Sequence, residues 1–505
     1  MKLVNKKHWM WLVLLLCAFL SPESTHAAPK RSISSAMVSD PQYLIFQIFT
    51  ASPGFRTEQN RHAISKLPEK SFIQNTVRDI VSRIDQDSTQ GHRLGFSLGP
   101  LALDYSDEQL RTLVKWSFEI AREEGVAVVL HIDDSKFWMN RDDLWKKNEN
   151  IEWKDWNQSA NTGQFLNWGE VWKLAPQICF NSPEIVTEVY RISKDVIGAA
   201  VAKELEGLSQ AEANSLFGGV IVGWETALGR DHDSRKSLGY CALTNRGFSR
   251  SNPPANKDDE LEQVVAEWIG LWSGGIVDAG VPSNRVYSHT AAFSKKQYDE
   301  QHNTLALKAK QSFGEFVNFS PPASAFGRSH RAGFSIYPER DILNDVYGEL
   351  QRHGNPPWAS AEGTNVVINS GRPHIPSGSM ENYLALMFNH GAKMVNVFGW
   401  GIPGSNPFKE ATERPEALIA YRKFLQGIPL SEQSPQAAAS ESPVSQQNEL
   451  ANRVRGVHAK IRSYQQSGGN MKPVMQHMLR LEKAIANGDL DTIEKELNLV
   501  LEIVE

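Results

Sequence analysis

Cysteine is scarce in this chain. Three occur among 505 residues, with no C-x-x-C pair, which removes zinc ribbons and dithiol redox motifs from consideration. An excess of positive charge is also missing: 53 Lys and Arg stand against 58 Asp and Glu, a net charge of −5. Such a chain has no electrostatic footing on nucleic acid or anionic lipid. No P-loop, no G-x-S-x-G elbow and no H-E-x-x-H occurs, which argues against the phosphate-loop, serine-hydrolase and zinc-protease plans. Beyond the first twenty residues no apolar run is long enough to cross a membrane.

That first stretch has its own logic. Lys2, Lys6 and Lys7 precede "HWMWLVLLLCAFL", and "STHAAPK" offers small residues near Ala27 and Ala28. This reads as a signal peptide over residues 1–27, with export to a periplasmic or extracellular space and no membrane span after cleavage. Two cysteines then remain, Cys179 and Cys241. In an exported protein such a pair either bridges or stays as two buried thiols.

What is abundant is alternation. Eight short apolar, β-branched runs recur: "YLIFQIFT" (43–50), "RLGFSLG" (93–99), "VAVVLHID" (126–133), "GVIVGWE" (219–225), "RVYSHTA" (285–291), "GFSIYP" (333–338), "WASAEGT" (358–364) and "MVNVFGWG" (394–401). Amphipathic stretches separate them, among them 71–86, 106–125, 182–205, 258–280, 339–354, 379–393 and 415–427. Strands covered on both faces read as short apolar runs. Eight such units predict a (β/α)8 TIM barrel over residues 28–428. The rival, an open doubly wound sheet, usually carries a glycine-rich turn after its first strand, and "TASPGFR" is not one.

A long insertion, 134 to about 181, separates strands three and four. It holds Trp138, Trp145, Trp153, Trp156, Trp168 and Trp172, a density suited either to its own core or to a wall of sugar subsites. Residues 429–448 are rich in Ser, Pro, Ala and Gln and read as a linker. Residues 449–505 read as a small C-terminal helical segment, a surface for packing on the barrel or for self-association.

In barrels of this type the chemistry gathers at the C-terminal strand ends. Those ends carry His131, Asp133 and Asp134 (three), Trp224 and Glu225 (four), His289 (five), Tyr337 (six), Glu362 and Asn365 (seven) and Trp400 (eight). Two glutamates on different strands can face each other across a pocket. Glycoside cleavage needs that pair: one carboxyl protonates the leaving oxygen, and the other attacks the anomeric carbon or activates water. Desolvation by Trp224 is expected to keep Glu225 protonated. The remaining residues, together with Trp138 from the insertion, are expected to bind sugar edges and faces.

The layout resembles the large clan of retaining (β/α)8 glycoside hydrolases, with an acid/base Glu after strand four and a nucleophile Glu after strand seven. Glu225 and Glu362 fall at those positions. The clan's Tyr after strand six corresponds to Tyr337 in "GFSIYP", and its Trp after strand eight to Trp400 in "NVFGWG". The clan has Asn directly before the acid/base Glu, where this chain has Trp224. The resemblance implies a glycosidase acting on an oligo- or polysaccharide without cofactor or metal, by retention or, given the departure, inversion. Two other readings use the same residues. A metal-dependent hydrolase would ligate its ion through His131, Asp133, Asp134 and His289. A non-catalytic glycan-binding barrel would use the aromatic wall alone.

Overall fold

The computed structural model describes residues 40–50, 66–84, 89, 91–166, 172–234, 236–291, 323–337, 340–367, 375–376, 378–402, 406–432, 460–461, 464, 471–487 and 490–504. The expected signal peptide, most of the expected linker, Trp168 and the stretches after the first, fifth and seventh strands (51–65, 292–322 and 368–374) lie outside the described residues.

The barrel strands are β1 (Gln42–Phe49), β2 (His92–Leu101), β3 (Ala127–Ile132), β4 (Phe217–Val222), β5 in two pieces (Val286–Ser288 and Thr290–Ala291), β6 (Gly333–Ile336), β7 (Trp358–Gly363) and β8 (Ala392–Val397). All pairings are parallel, each strand lies beside the next in sequence, and β1 pairs with β8. The ring closes through β5: Val286–Ser288 pairs with β4, and Thr290–Ala291 pairs with β6. His289 sits at the break between the two pieces. The protein is thus a (β/α)8 barrel, as the alternation predicts.

Strand parity sorts the core. Tyr43, Ile45, Ala127, Val129, Ile221, Tyr287, Ala359, Ala361 and Met394 fill the interior of the ring. Their neighbours Leu44, Phe46, Ile48, Val128, Leu130, Val220 and Val222 point outward into the layer beneath the helices. Each large apolar side chain buried this way contributes roughly 1.5–3 kcal/mol. Helix ends follow their local chemistry. Ser106 and Gln109 form a capping box at the start of Asp107–Glu124, and Gly125 ends that helix in the left-handed conformation at φ 66°.

Two tryptophans of the insertion between β3 and β4 bond within it, and a third packs on the segment after β4. Trp138 is fully buried, and its indole N–H donates to the Pro176 carbonyl at 2.8 Å. The Trp153 N–H donates to Asn148 O at 2.8 Å, and Trp156 packs edge-on against Tyr240. Glu152 pins the insertion to the segment after β4. Its carboxylate accepts backbone N–H groups of Gly239 (3.0 Å), Cys241 (3.1 Å) and Ala242 (3.3 Å). Burial pushes its pKa up to about 7 against those donors. Cys179 and Cys241 are both buried free thiols.

Near the C-terminus, helices Met471–Asn487 and Leu490–Val504 pair through Val474, Leu481, Leu497 and Val500. No described helix is long and apolar enough to cross a membrane.

Candidate active site

The C-terminal mouth of the barrel gathers two carboxylates and two histidines. One oxygen of Glu225, one of Glu362 and one ring nitrogen of His289 all lie within 4.8 Å of one another.

Glu362 reaches the interior because β7 is bulged. The register runs Ser360↔Phe334 and then Glu362↔Ser335, so Ala361 is the extra residue. A bulge re-aims the side chain that follows it. Without it, Ala361 and Glu362 would face opposite ways. Once inside, Glu362 accepts hydrogen bonds from Gln47 Nε2 (2.9 Å) and the Tyr337 hydroxyl (3.3 Å). Burial first, and the Glu225 charge second, push its carboxyl well above the usual range. The two hydrogen bonds pull the other way.

Glu225 is placed by backbone strain. Gly223 has φ +101° and Glu225 itself φ +54°, an arrangement uncommon for a residue with a Cβ. Neighbours hold this turn. Thr226 N–H donates to His289 O at 3.2 Å. Asp134 Oδ2 accepts from the Thr226 hydroxyl and the Trp268 indole, both at 2.8 Å. Lys136 Nζ donates to the Trp224 carbonyl. The Glu225 carboxylate is half-buried and accepts from Ser335 Oγ at 2.7 Å.

Several expected binding residues are occupied otherwise. Trp224 packs face to face with a histidine. It is 1% exposed, and its ring stacks on His131 with centroids 4.1 Å apart. Asp133 Oδ1 caps the turn out of β3, accepting backbone N–H groups of Ser135 (3.2 Å), Lys136 (2.7 Å) and Phe137 (3.3 Å). Burial raises its pKa to about 6. Asp134 anchors the Glu225 turn rather than lining a pocket. Asn365 donates to Gly378 O at 2.9 Å.

Trp400 is turned away from the site. Gly399, at φ +117°, redirects the chain after β8. The Trp400 ring packs on Phe46 in the outer layer, and its N–H donates to Asp79 at 3.0 Å. Trp138, fully buried, offers no face to a sugar. The aromatic on the inward parity of β8 is Phe398, which meets Phe49 edge-on at 5.6 Å.

His131 and His289 do belong to the site. Their Nε2 and Nδ1 atoms, respectively, are 2.9 Å apart. Burial holds His131 neutral, down to about 3, and lowers His289 as well, with the His131 and Lys136 charges adding. The expected metal set of His131, Asp133, Asp134 and His289 does not come together at ligand spacing among the described residues: Asp133 Oδ1 and both oxygens of Asp134 are taken by protein donors. Among the described residues the trio with ligand spacing is Glu225, His289 and Glu362. Both ring nitrogens of His289 are already hydrogen-bonded, to His131 and to Ser335 (2.7 Å).

Gln47, Ser97, Ser335 and Asn396 were absent from the sequence reading. All four are buried. Each is a polar residue at an inward position of an otherwise apolar strand, and that pattern is a usable signal, because buried polar groups are paired with something.

No protein-family model matches this chain, and no curated protein matches it. Among solved structures it is similar to a β-galactosidase from the psychrophilic Marinomonas ef1, with TM-score 0.45 and 12% identity over 77% of this chain and 59% of that one. A GH42 β-galactosidase from G. stearothermophilus gives TM-score 0.42 and 10% identity over 74% and 58%. The catalytic domain of a β-amylase from Paenibacillus polymyxa gives 0.43 and 9% over 78% and 99%. The chain thus spans under two thirds of the length of the two β-galactosidases. Its assignment as a barrel rests on its own strand order.

Proposed function

We propose that this chain is an O-glycoside hydrolase acting with retention, with Glu225 as acid/base and Glu362 as nucleophile. One observation carries the reading: two carboxylates from the ends of β4 and β7 approach within 4.8 Å. Retaining enzymes keep their pair roughly 5–5.5 Å apart, and inverting enzymes leave room for a water. Two carboxylates this close share a proton, because both cannot ionise cheaply.

Catalysis has to overcome the burial that holds the Glu362 carboxyl up, so that Glu225 carries the shared proton. It passes to the glycosidic oxygen as the bond to the anomeric carbon breaks. Glu362 attacks that carbon from the opposite face and forms a glycosyl-enzyme. Gln47 and Tyr337 favour the charge on Glu362 by donating to it. Glu225, now a base, takes a proton from the water that releases the sugar. The substrate is an oligo- or polysaccharide, met after export, and the paired C-terminal helices offer a surface for self-association.

A second reading has one observation in its favour. Glu225, His289 and Glu362 have ligand spacing, so a divalent ion bound there would activate water instead. It would have to break the hydrogen bonds that His289 already makes.

The test is a panel of aryl glycosides of both anomers and of polysaccharides, with reducing-end detection and NMR of the first-formed anomer. Retained configuration, and a 2-fluoro glycoside that labels Glu362, are expected. Turnover lost to chelation and restored by a stoichiometric metal would overturn the reading in favour of the second. Glycan binding without turnover, unchanged in Glu362→Gln, would leave a binding module.

A further inference from the structure

We propose that His131, His289 and Ser335 form a directed hydrogen-bond relay, anchored on the Gly223 carbonyl, that presents the Ser335 hydroxyl proton to Glu225 and holds it in its acid/base position. The proposal rests on the glycosidase reading above and adds three positioning residues to it.

Both imidazoles face the Gly223 carbonyl, and the buried Nδ1 of His131 decides the direction between them. A carbonyl oxygen only accepts. His131 Nε2 lies 3.1 Å from Gly223 O, so Nε2 carries the ring proton. His131 Nδ1 is buried without a hydrogen-bond partner, which suits a bare nitrogen better than a stranded N–H. The same Nε2 is 2.9 Å from His289 Nδ1. That nitrogen must accept, so the His289 proton is on Nε2. Nε2 is 2.7 Å from Ser335 Oγ, so the hydroxyl accepts there and spends its own proton on Glu225 Oε1, 2.7 Å away. Burial keeps both imidazoles neutral, so ordinary pH does not reverse the direction.

The consequence is an assignment of oxygens. With Oε1 of Glu225 always receiving a donor, Oε2 is the oxygen left to carry the mobile proton. Glu225 needs such a hold because its backbone is at φ +54° and its side chain is half-exposed.

Glu362 has a separate support. The Ser97 hydroxyl donates to Asn396 Oδ1 (2.8 Å), and Asn396 Nδ2 donates to Gln47 Oε1 (2.9 Å) and Ala361 O (2.7 Å). Gln47 Nε2 is thereby left for Glu362. The two carboxylates are therefore served by two chains that share no member. The charged and titratable groups around Glu225 are Glu362 on β7, Tyr337 after β6, Lys136 and His131 from the β3 side, and His289 in β5.

The experiment compares pH profiles of kcat/KM for wild type, Ser335→Ala, Ser335→Thr and Gln47→Leu. Loss of the donor to Glu225 favours its protonated form. The alkaline limb of Ser335→Ala should move up by about one pH unit, with kcat falling about tenfold and KM little changed. Ser335→Thr, which keeps the hydroxyl, should restore both. Gln47→Leu should move the acidic limb instead. An unmoved alkaline limb in Ser335→Ala, or both limbs moving together, overturns the relay.

A second measurement needs no turnover and no variant. The side-chain 15N shifts of the wild-type protein at pH 7 should show Nε2–H tautomers at both His131 and His289. An Nδ1–H form at either position overturns the relay. The expected tautomers in a protein that hydrolyses no glycoside would leave the relay standing and remove only the reaction assigned to it.

Discussion

The two ends of this barrel both bury charge, and they do so in opposite ways. At the N-terminal end Arg285, 5% exposed, bonds the Tyr43 hydroxyl (2.8 Å) and Asn214 Oδ1 (2.5 Å) and pairs with Asp40 at 3.1 Å. Arg331 adds a second cation to Asp40 at 2.8 Å. A cavity of about 640 Å³ opens beside this cluster, lined in part by Lys203, Gln210 and Asn284, yet Arg285, Tyr43, Asn214 and Asp40 are all engaged with one another. At the C-terminal end two carboxylates face each other, and a strained residue holds one of them. Opposite charges at one end close the structure. Like charges at the other add to the burial that holds the Glu362 carboxyl above its usual range, so burial and concavity alone do not mark a site.

The largest expected break in that contrast is Glu362→Gln. It should lower kcat/KM by about 10⁴-fold or more, as loss of a group that acts only with its partners does. It should also raise the urea midpoint at pH 8, because it removes a like charge. A variant with near-wild-type turnover would end the assignment.

Next is Arg285→Leu, which leaves Asp40 with one cation fewer. Removing one partner from a buried pair costs about 3–5 kcal/mol. Asp40 is partly exposed, so about 3 kcal/mol is expected in denaturant unfolding, with the pH profile of turnover unchanged.

The pH dependence of stability sharpens the comparison further. The folded pKa of Glu362 is raised, so the folded state binds more protons than the unfolded chain. The stability it contributes is full below the ordinary glutamate pKa and is lost as pH rises through the folded value. The difference in unfolding free energy between Glu362→Gln and wild type should therefore grow as pH rises from about 4.5. A flat difference would mean that Glu362 ionises without penalty. His131 works in the other direction: its depressed pKa costs stability as pH falls from about 6.5 toward 3.

The smallest effect is expected at Trp138→Phe. Loss of the hydrogen bond to Pro176 should cost about 1 kcal/mol and leave KM unchanged. A raised KM would return the insertion to the role of a sugar wall.

The strands were legible because each is a short β-branched run bounded by turn residues, but the runs overshoot the strand ends, as 219–225 does against Phe217–Val222 and 394–401 against Ala392–Val397. Glu225 and Glu362 drew notice as charges at the ends of such runs. Trp400 and Trp138 were misplaced for one reason: past the last ladder bond, parity no longer says where a side chain points. Gly399 turned one of them outward, and the insertion absorbed the other as core. Asp134 and Asn365 were misplaced because a polar loop residue serves a backbone or indole donor as readily as a ligand. Gln47, Ser335 and Asn396 were within reach of parity, since a lone polar residue inside an apolar strand needs an inward partner.

Local pattern determined the architecture: eight apolar runs at helical intervals must bury both faces, and a closed parallel ring does that. Which residues meet was decided only in three dimensions. A one-residue bulge before Glu362, two positive φ angles around Trp224 and the break in β5 at His289 set the site, because each depends on what neighbouring strands hold in place rather than on the residues alone.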